Sequence, residues 1–177
     1  AAMTNVGVWQ FLADDDPDVD ALYRLTINQP VFFNDRAPLV LAPGTVAAFN
    51  SQNTAFRREL FPLLYLPAFV NFRYTDILRG LIAQPIMWQF GYRLGFGTAT
   101  VRQLRNPHDY LKDFIDEIPM YETGEQVVPL VQEAIKHADN IPTALRLAYE
   151  SLHRQAIVKQ EELSLLSLWL ENKHFLA

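Results

Sequence analysis

A mixed α/β fold, with a small sheet, packed helices and a helical tail, is what this sequence predicts, and three observations carry the prediction. Up to Leu104 the chain is built of short apolar stretches separated by proline, glycine and asparagine turns. From His108 onward, helix formers at helical spacing take over. The order is a mixed α/β first part and a helical tail, not a regular βαβ alternation. With 177 residues there is enough chain for one domain with a sizeable core.

In chain order, "NVGVWQFLA" puts Val6, Trp9 and Leu12 at helical spacing and predicts a short amphipathic helix. "VDALYRLT" alternates well enough to predict a strand. "APLVLAPG" predicts a second strand closed by a Pro-Gly turn, and "TVAAFNSQN" a third that ends in a polar elbow. "TAFRRELFPLLYL" starts as a helix capped by Thr54 and breaks at its prolines. "TDILRGLIAQPIMWQFGYRLG" predicts a longer helix, capped by Thr75 or Asp76 and ended by Gly91 or Gly95. "FGTATVRQL" predicts a strand rich in β-branched residues. "PHDYLKDFIDEI", "GEQVVPLVQEAIKHA" and the stretch from Ile141 to Phe175 predict helices, the last divided near Lys159 and capped by Asn140.

Composition narrows the chemistry. A formal net charge of -5 disfavours nonspecific nucleic-acid binding, which needs a basic surface to displace counterions. The absence of cysteine removes disulfides, thiol nucleophiles and thiolate ligands. No apolar run approaches the ~20 residues that span a bilayer, and no basic segment leads an apolar one as in a signal peptide. The sequence lacks a glycine-rich phosphate loop and a Gly-x-Ser-x-Gly elbow. His108, His137, His153 and His174 are too far apart for zinc spacing.

Five aspartates lie between Asp14 and Asp20. As a calcium loop starting at Asp16 they fail, because Ala21 and Ile27 fall where glycine and glutamate are needed. As an Asp-x-Asp metal motif they require an apolar strand leading in, and the preceding residues have helical spacing instead. The segment is therefore expected to be a solvated turn that introduces a strand. Two other clusters are candidates. Asn50, Ser51, Gln52 and Asn53 follow an apolar stretch and either cap the next helix or offer amides to sugar hydroxyls. Arg73 and Asp76 flank a helix start, where a carboxylate is stabilised by free N–H groups. Within this same second cluster, Arg102, Arg105, Asn106 and His108 form a basic group suited to phosphate or carboxylate.

The blocks "DPDVDALYRLT", "FNSQNTAF", "FPLLYLP", "RYTDILRG" and "RNPHDYLKDFIDE" together resemble the STELLO glycosyltransferase-like family of plants and its relatives in nematodes. The layout is more weakly similar to the reversibly glycosylated polypeptides, the UDP-arabinopyranose mutases. This resemblance implies the C-terminal part of a GT-A-like fold, with residues 1–122 as the acceptor-side region and 123–177 as a helical extension packed on the same domain. It also implies a metal-binding Asp-x-Asp upstream of this chain, so the donor half is expected to be elsewhere in a longer protein, or lost.

Carried over by resemblance, Asp76 is the acidic residue that contacts the acceptor or acts as general base. His108 completes a metal shell or meets diphosphate, with Arg105 and Asn106 beside it. Asn50, Gln52 and Asn53, with Arg73, bind substrate. A divalent cation, Mn²⁺ or Mg²⁺, is implied for the full-length enzyme, though none is assigned to this chain. The implied partners are a nucleotide sugar and a glycan acceptor. The alternatives are a non-catalytic scaffold module, docking through its helical tail, and a carbohydrate-binding domain. Plant relatives work at the Golgi, which implies the Golgi lumen; a bacterial relative implies the cytoplasm.

Overall fold

The computed structural model describes residues 5–171; His174 and the end of the expected last helix lie outside the described residues. The elements are β1 (Val6–Asp15), α1 (Ala21–Thr26), β2 (Leu39–Val40), β3 (Thr54–Phe56), two 3₁₀ turns (Arg58–Leu64 and Phe72–Tyr74), α2 (Thr75–Gln89), β4 (Arg93–Gln103), α3 (Tyr110–Ile135), α4 (Ile141–Arg154) and α5 (Gln160–Leu170). The four strands form an open sheet in the order β2-β4-β1-β3. β1 and β4 run parallel at its centre, and the short edge strands are antiparallel to them. The result is a mixed α/β domain with a C-terminal run of helices.

Several sequence expectations are corrected. The predicted first helix is β1, one of the two central strands of the sheet. Val6, Val8, Trp9 and Phe11 favour a pleated surface, and the Trp9 and Phe11 rings stack on one face at 6.3 Å. Register irregularities between Gln10 and Ala13 shift the alternation and leave a false helical spacing. The predicted strand "VDALYRLT" is instead α1. Asp20 caps it by accepting the Tyr23 N–H at 2.7 Å, and Arg24 is held by Asp16 at 2.5 Å and by the Pro17 carbonyl at 2.7 Å.

The predicted third strand is irregular over residues 45–53. There the Gln84 side chain of α2 takes over the backbone of Ala47, accepting its N–H at 3.0 Å and donating to its carbonyl at 2.9 Å. Thr54 opens β3 rather than capping a helix, and its hydroxyl donates to the Asn50 carbonyl at 2.8 Å. The two helices expected after His108 are one continuous α3 that passes through Pro119 and Pro129. Other expectations hold. β2 is followed by a turn in which Gly44 has φ +82°, β4 forms, Asn140 caps α4 through the Thr143 N–H, and the chain breaks before α5 at Lys159.

α2 is buried from Leu78 to Met87, so it is the central helix of the domain rather than a surface one. Its Leu78, Ile82, Ile86 and Met87 share one core with Val8 and Leu94 of the sheet, Val127 and Val131 of α3, and Leu145 and Leu152 of α4. α5 closes the core through Leu166 and Glu162. The buried Glu162 carboxylate accepts from Tyr65 Oη and from the N–H groups of Ala68 and Phe69 at 3.0 and 2.9 Å. That clamp anchors the loop leading into Phe72–Tyr74 and α2. No described helix is long and apolar enough to cross a membrane.

Candidate functional site

A cleft of about 540 Å³ opens where the second half of β1, the aspartate segment, the 48–52 elbow, the start of α2 and α3 meet. Each wall has a local cause. Close approach of α2 to the elbow requires Gly80, where a Cβ would lie 2.7 Å from the Phe49 carbonyl. The buried Arg79 guanidinium stacks against Phe49 and Phe56, 5.4 and 5.2 Å from their ring centres, and donates to the Asn50 carbonyl at 3.0 Å. Burial lowers the Arg79 pKa, while the Asp76 charge opposes the shift. From the sheet side, Gln10 Oε1 accepts the Asn50 N–H at 3.0 Å.

Asp76 lies in the first turn of α2 and lines the cleft. The cap residue is Tyr74, without a side-chain bond, so neither Thr75 nor Asp76 caps the helix. Instead Asp76 Oδ2 accepts the Ser51 N–H at 2.8 Å, which joins the elbow to the helix start and orients the carboxylate. The opposite wall is an ion network. Glu117 of α3, buried, accepts from Arg73 Nε and Nη2 at 3.0 and 2.7 Å and from the Ala21 N–H at 2.8 Å. Burial alone would lower the Arg73 pKa, but the Glu117 hydrogen bond and the charges of Asp18, Glu117 and Asp113 raise it. Asp18 lies between Arg73 at 3.4 Å and Arg105 at 3.3 Å.

The structure thus places Asp76, Asn50, Gln52 and Arg73 together around the cleft. Arg105 reaches its edge through Asp18 and the Pro17 carbonyl. Asn53 turns onto the sheet, donating to the Leu12 carbonyl at 3.1 Å and Thr100 Oγ1 at 2.8 Å. Asn106 and His108 are not in the lining, and His108 Nδ1 instead meets Asp113 at 3.0 Å. Sequence reasoning missed Asp18, Asp20 and Glu117 as lining residues. Glu117 stood inside the block "RNPHDYLKDFIDE", but only its burial against Arg73 marks it.

β1 as a strand also changes the setting of the aspartates, which now leave the C-terminal end of a strand paired in parallel with β4. Their carboxylates are committed separately. Asp14 accepts the Phe33 N–H, Asp16 holds Arg24, Asp18 holds the two arginines and Asp20 caps α1. Among the described residues no three His, Cys, Asp or Glu side chains converge on a point that could hold a metal ion.

A profile of the family described as STELLO glycosyltransferases matches residues 73–177, which begin at Arg73 and include Asp76, Arg105, Asn106, His108 and Glu117. The chain belongs to that family. Among its relatives are two proteins of Arabidopsis thaliana. Probable glycosyltransferase STELLO1 is 23% identical over 173 residues, covering 93% of this chain and 22% of the relative. Probable glycosyltransferase STELLO2 is 30% identical over 116 residues, covering 62% of this chain and 15% of the relative. The chain therefore spans about a fifth or less of the STELLO proteins it matches.

Proposed function

We propose that this chain is the acceptor-side part of a GT-A-like glycosyltransferase, in which the cleft takes a glycan acceptor and Asp76 is the general base. Membership of the STELLO glycosyltransferases supports sugar transfer. The observation that carries the assignment is the setting of Asp76. One carboxylate oxygen is pinned by the Ser51 N–H at 2.8 Å, and the group faces a cleft large enough for a small ligand. A sugar hydroxyl is a poor nucleophile until its proton is taken, and an oriented carboxylate within hydrogen-bond reach supplies that step. Asn50, Ser51 and Gln52 offer polar groups for the remaining hydroxyls.

The donor in this reading is a nucleotide sugar bound largely by other parts of the protein. The divalent cation that the family resemblance implies is not matched by a donor set among the described residues. The aspartates are engaged with separate partners, His108 is paired with Asp113 outside the cleft lining, and no step is assigned to a cation. Replacing Asp76 by Asn in the whole protein is expected to lower transfer by ~10²–10⁴-fold without altering the circular dichroism spectrum. Wild-type turnover by that variant refutes the assignment.

A second reading, a module that docks a protein partner, is supported by a different surface. Leu111, Ile115 and Ile118 of α3 lie at helical spacing and are exposed, as is Leu104 in the segment that precedes the helix.

A further inference from the structure

Two features of the cleft are unexplained by a base and a few amides: its charge and the aromatic ring at its mouth. Four carboxylates line it, those of Asp18, Asp20, Asp76 and Glu117, against the single guanidinium of Arg73. Arg105, which reaches Asp18 from behind, and the buried Arg79, whose charge acts on Asp76, still leave the acids in excess by one. Such a lining repels a uronic acid, a sulfate or an unshielded phosphate, and tolerates an uncharged ligand. Phe72 also lines the cleft, although the residue is 88% exposed.

That exposure is not looseness. Phe72 sits in a 3₁₀ turn whose neighbours are all tied down. Asn71 Nδ2 donates to the Asp116 carbonyl at 3.1 Å, Arg73 is clamped by Glu117, and Tyr74 is buried with its hydroxyl 3.1 Å from Thr123 Oγ1. A ring carried on an anchored backbone at the edge of a cleft presents a flat apolar face with a negative quadrupole, which suits the weakly positive C–H face of a pyranose. Within reach of the same ligand, Asn50, Ser51 and Gln52 can serve its hydroxyl edge.

We infer that the acceptor is an uncharged carbohydrate and that Phe72 is the platform on which one of its rings stacks. This rests on the reading of the cleft as the acceptor site. The test is calorimetric binding to this chain, at low ionic strength, of uncharged hexose oligomers and of an oligogalacturonate of equal length. At least one uncharged oligomer is expected to bind, with the oligogalacturonate at least tenfold weaker. F72A should weaken the uncharged oligomer about tenfold, and F72W should keep it. Because Phe72 is exposed, F72A is expected to melt with the parent, which a thermal scan checks. Equal or tighter binding of the oligogalacturonate overturns the inference, as does binding untouched by F72A or binding by none of the oligomers. Phe72-dependent binding of an alkyl glycoside but not of the free oligomer also overturns it, by pointing to an apolar aglycone. The two readings fail separately: Phe72-dependent glycan binding with undiminished D76N turnover rejects only the base. Loss of D76N turnover with F72A-independent binding rejects only the platform.

Discussion

Glu117→Ala tests the ion network that builds the cleft's far wall. Glu117 is almost fully buried and Arg73 largely so, with side-chain exposures of 3% and 14%. The variant removes two hydrogen bonds from Arg73 and the acceptor for the Ala21 N–H. Arg73 keeps only the longer contact to Asp18 at 3.4 Å, on a carboxylate that is a third exposed. Removing one partner of a buried pair costs ~3–5 kcal/mol, mostly because the other charge stays buried. The residual Asp18 contact places the expected loss at the lower end, about 3 kcal/mol. Urea unfolding at constant m-value measures it. Pairing Glu117→Ala with Arg73→Met should show a coupling energy above ~1 kcal/mol, because the two side chains touch. A loss under ~1 kcal/mol for Glu117→Ala alone, or additive single variants, refutes the network as a buried, supporting one.

The remaining predictions concern the core and the elbow. Burial raises the pKa of Tyr65, Tyr74 and Tyr149, with Glu162 adding to the shift at Tyr65 and Tyr149. Each keeps its proton in the native state after the unfolded chain has lost it. The stability from these groups is complete below the unfolded value of ~10 and falls above it, by up to ~1.4 kcal/mol per pH unit per tyrosine. Unfolding free energies measured from about pH 8 to 11 should fall accordingly, with a shallower slope in Tyr65→Phe; a flat profile contradicts the burial of all three hydroxyls. Gly80→Ala places a Cβ 2.7 Å from the Phe49 carbonyl and should cost ~1–3 kcal/mol by overpacking. It should also weaken transfer by separating Ser51 from Asp76, and wild-type stability and turnover would contradict the close approach.

Legibility in the sequence followed how local each signal was. α2, β4, α4 and the break at Lys159 were readable because a single periodic face, a run of β-branched residues or an asparagine cap specifies them from nearby residues. β1 was misread because the register irregularities near Leu12 disturb its alternation. α1, only six residues long, depends on the Asp20 cap and on packing against α3, and its apolar residues alone imitate a strand. Residues 45–53 contain strand-like chemistry, but Gln84 of a distant helix uses up the Ala47 backbone groups. Of the candidate site, Asp76 came from the family resemblance, its place at a helix start having a purely structural explanation, and Asn50 and Gln52 came from a polar elbow. Glu117 was not, since nothing in an acidic helix sequence says which carboxylate turns inward.

By itself, the sequence determined the mixed α/β class, the helical C-terminal run and the membership of the STELLO family, because composition, periodicity and ordered motif blocks are properties of the chain as a string. The tertiary structure alone decided that the aspartate segment follows a strand and that Asn50, Arg73 and Asp76 share a cleft. It alone decided, too, that Glu117 anchors the Ala21 N–H from 96 residues away. Those outcomes depend on which polar groups are buried together. A buried carboxylate must find its donors wherever the fold brings them, and no local pattern encodes that pairing.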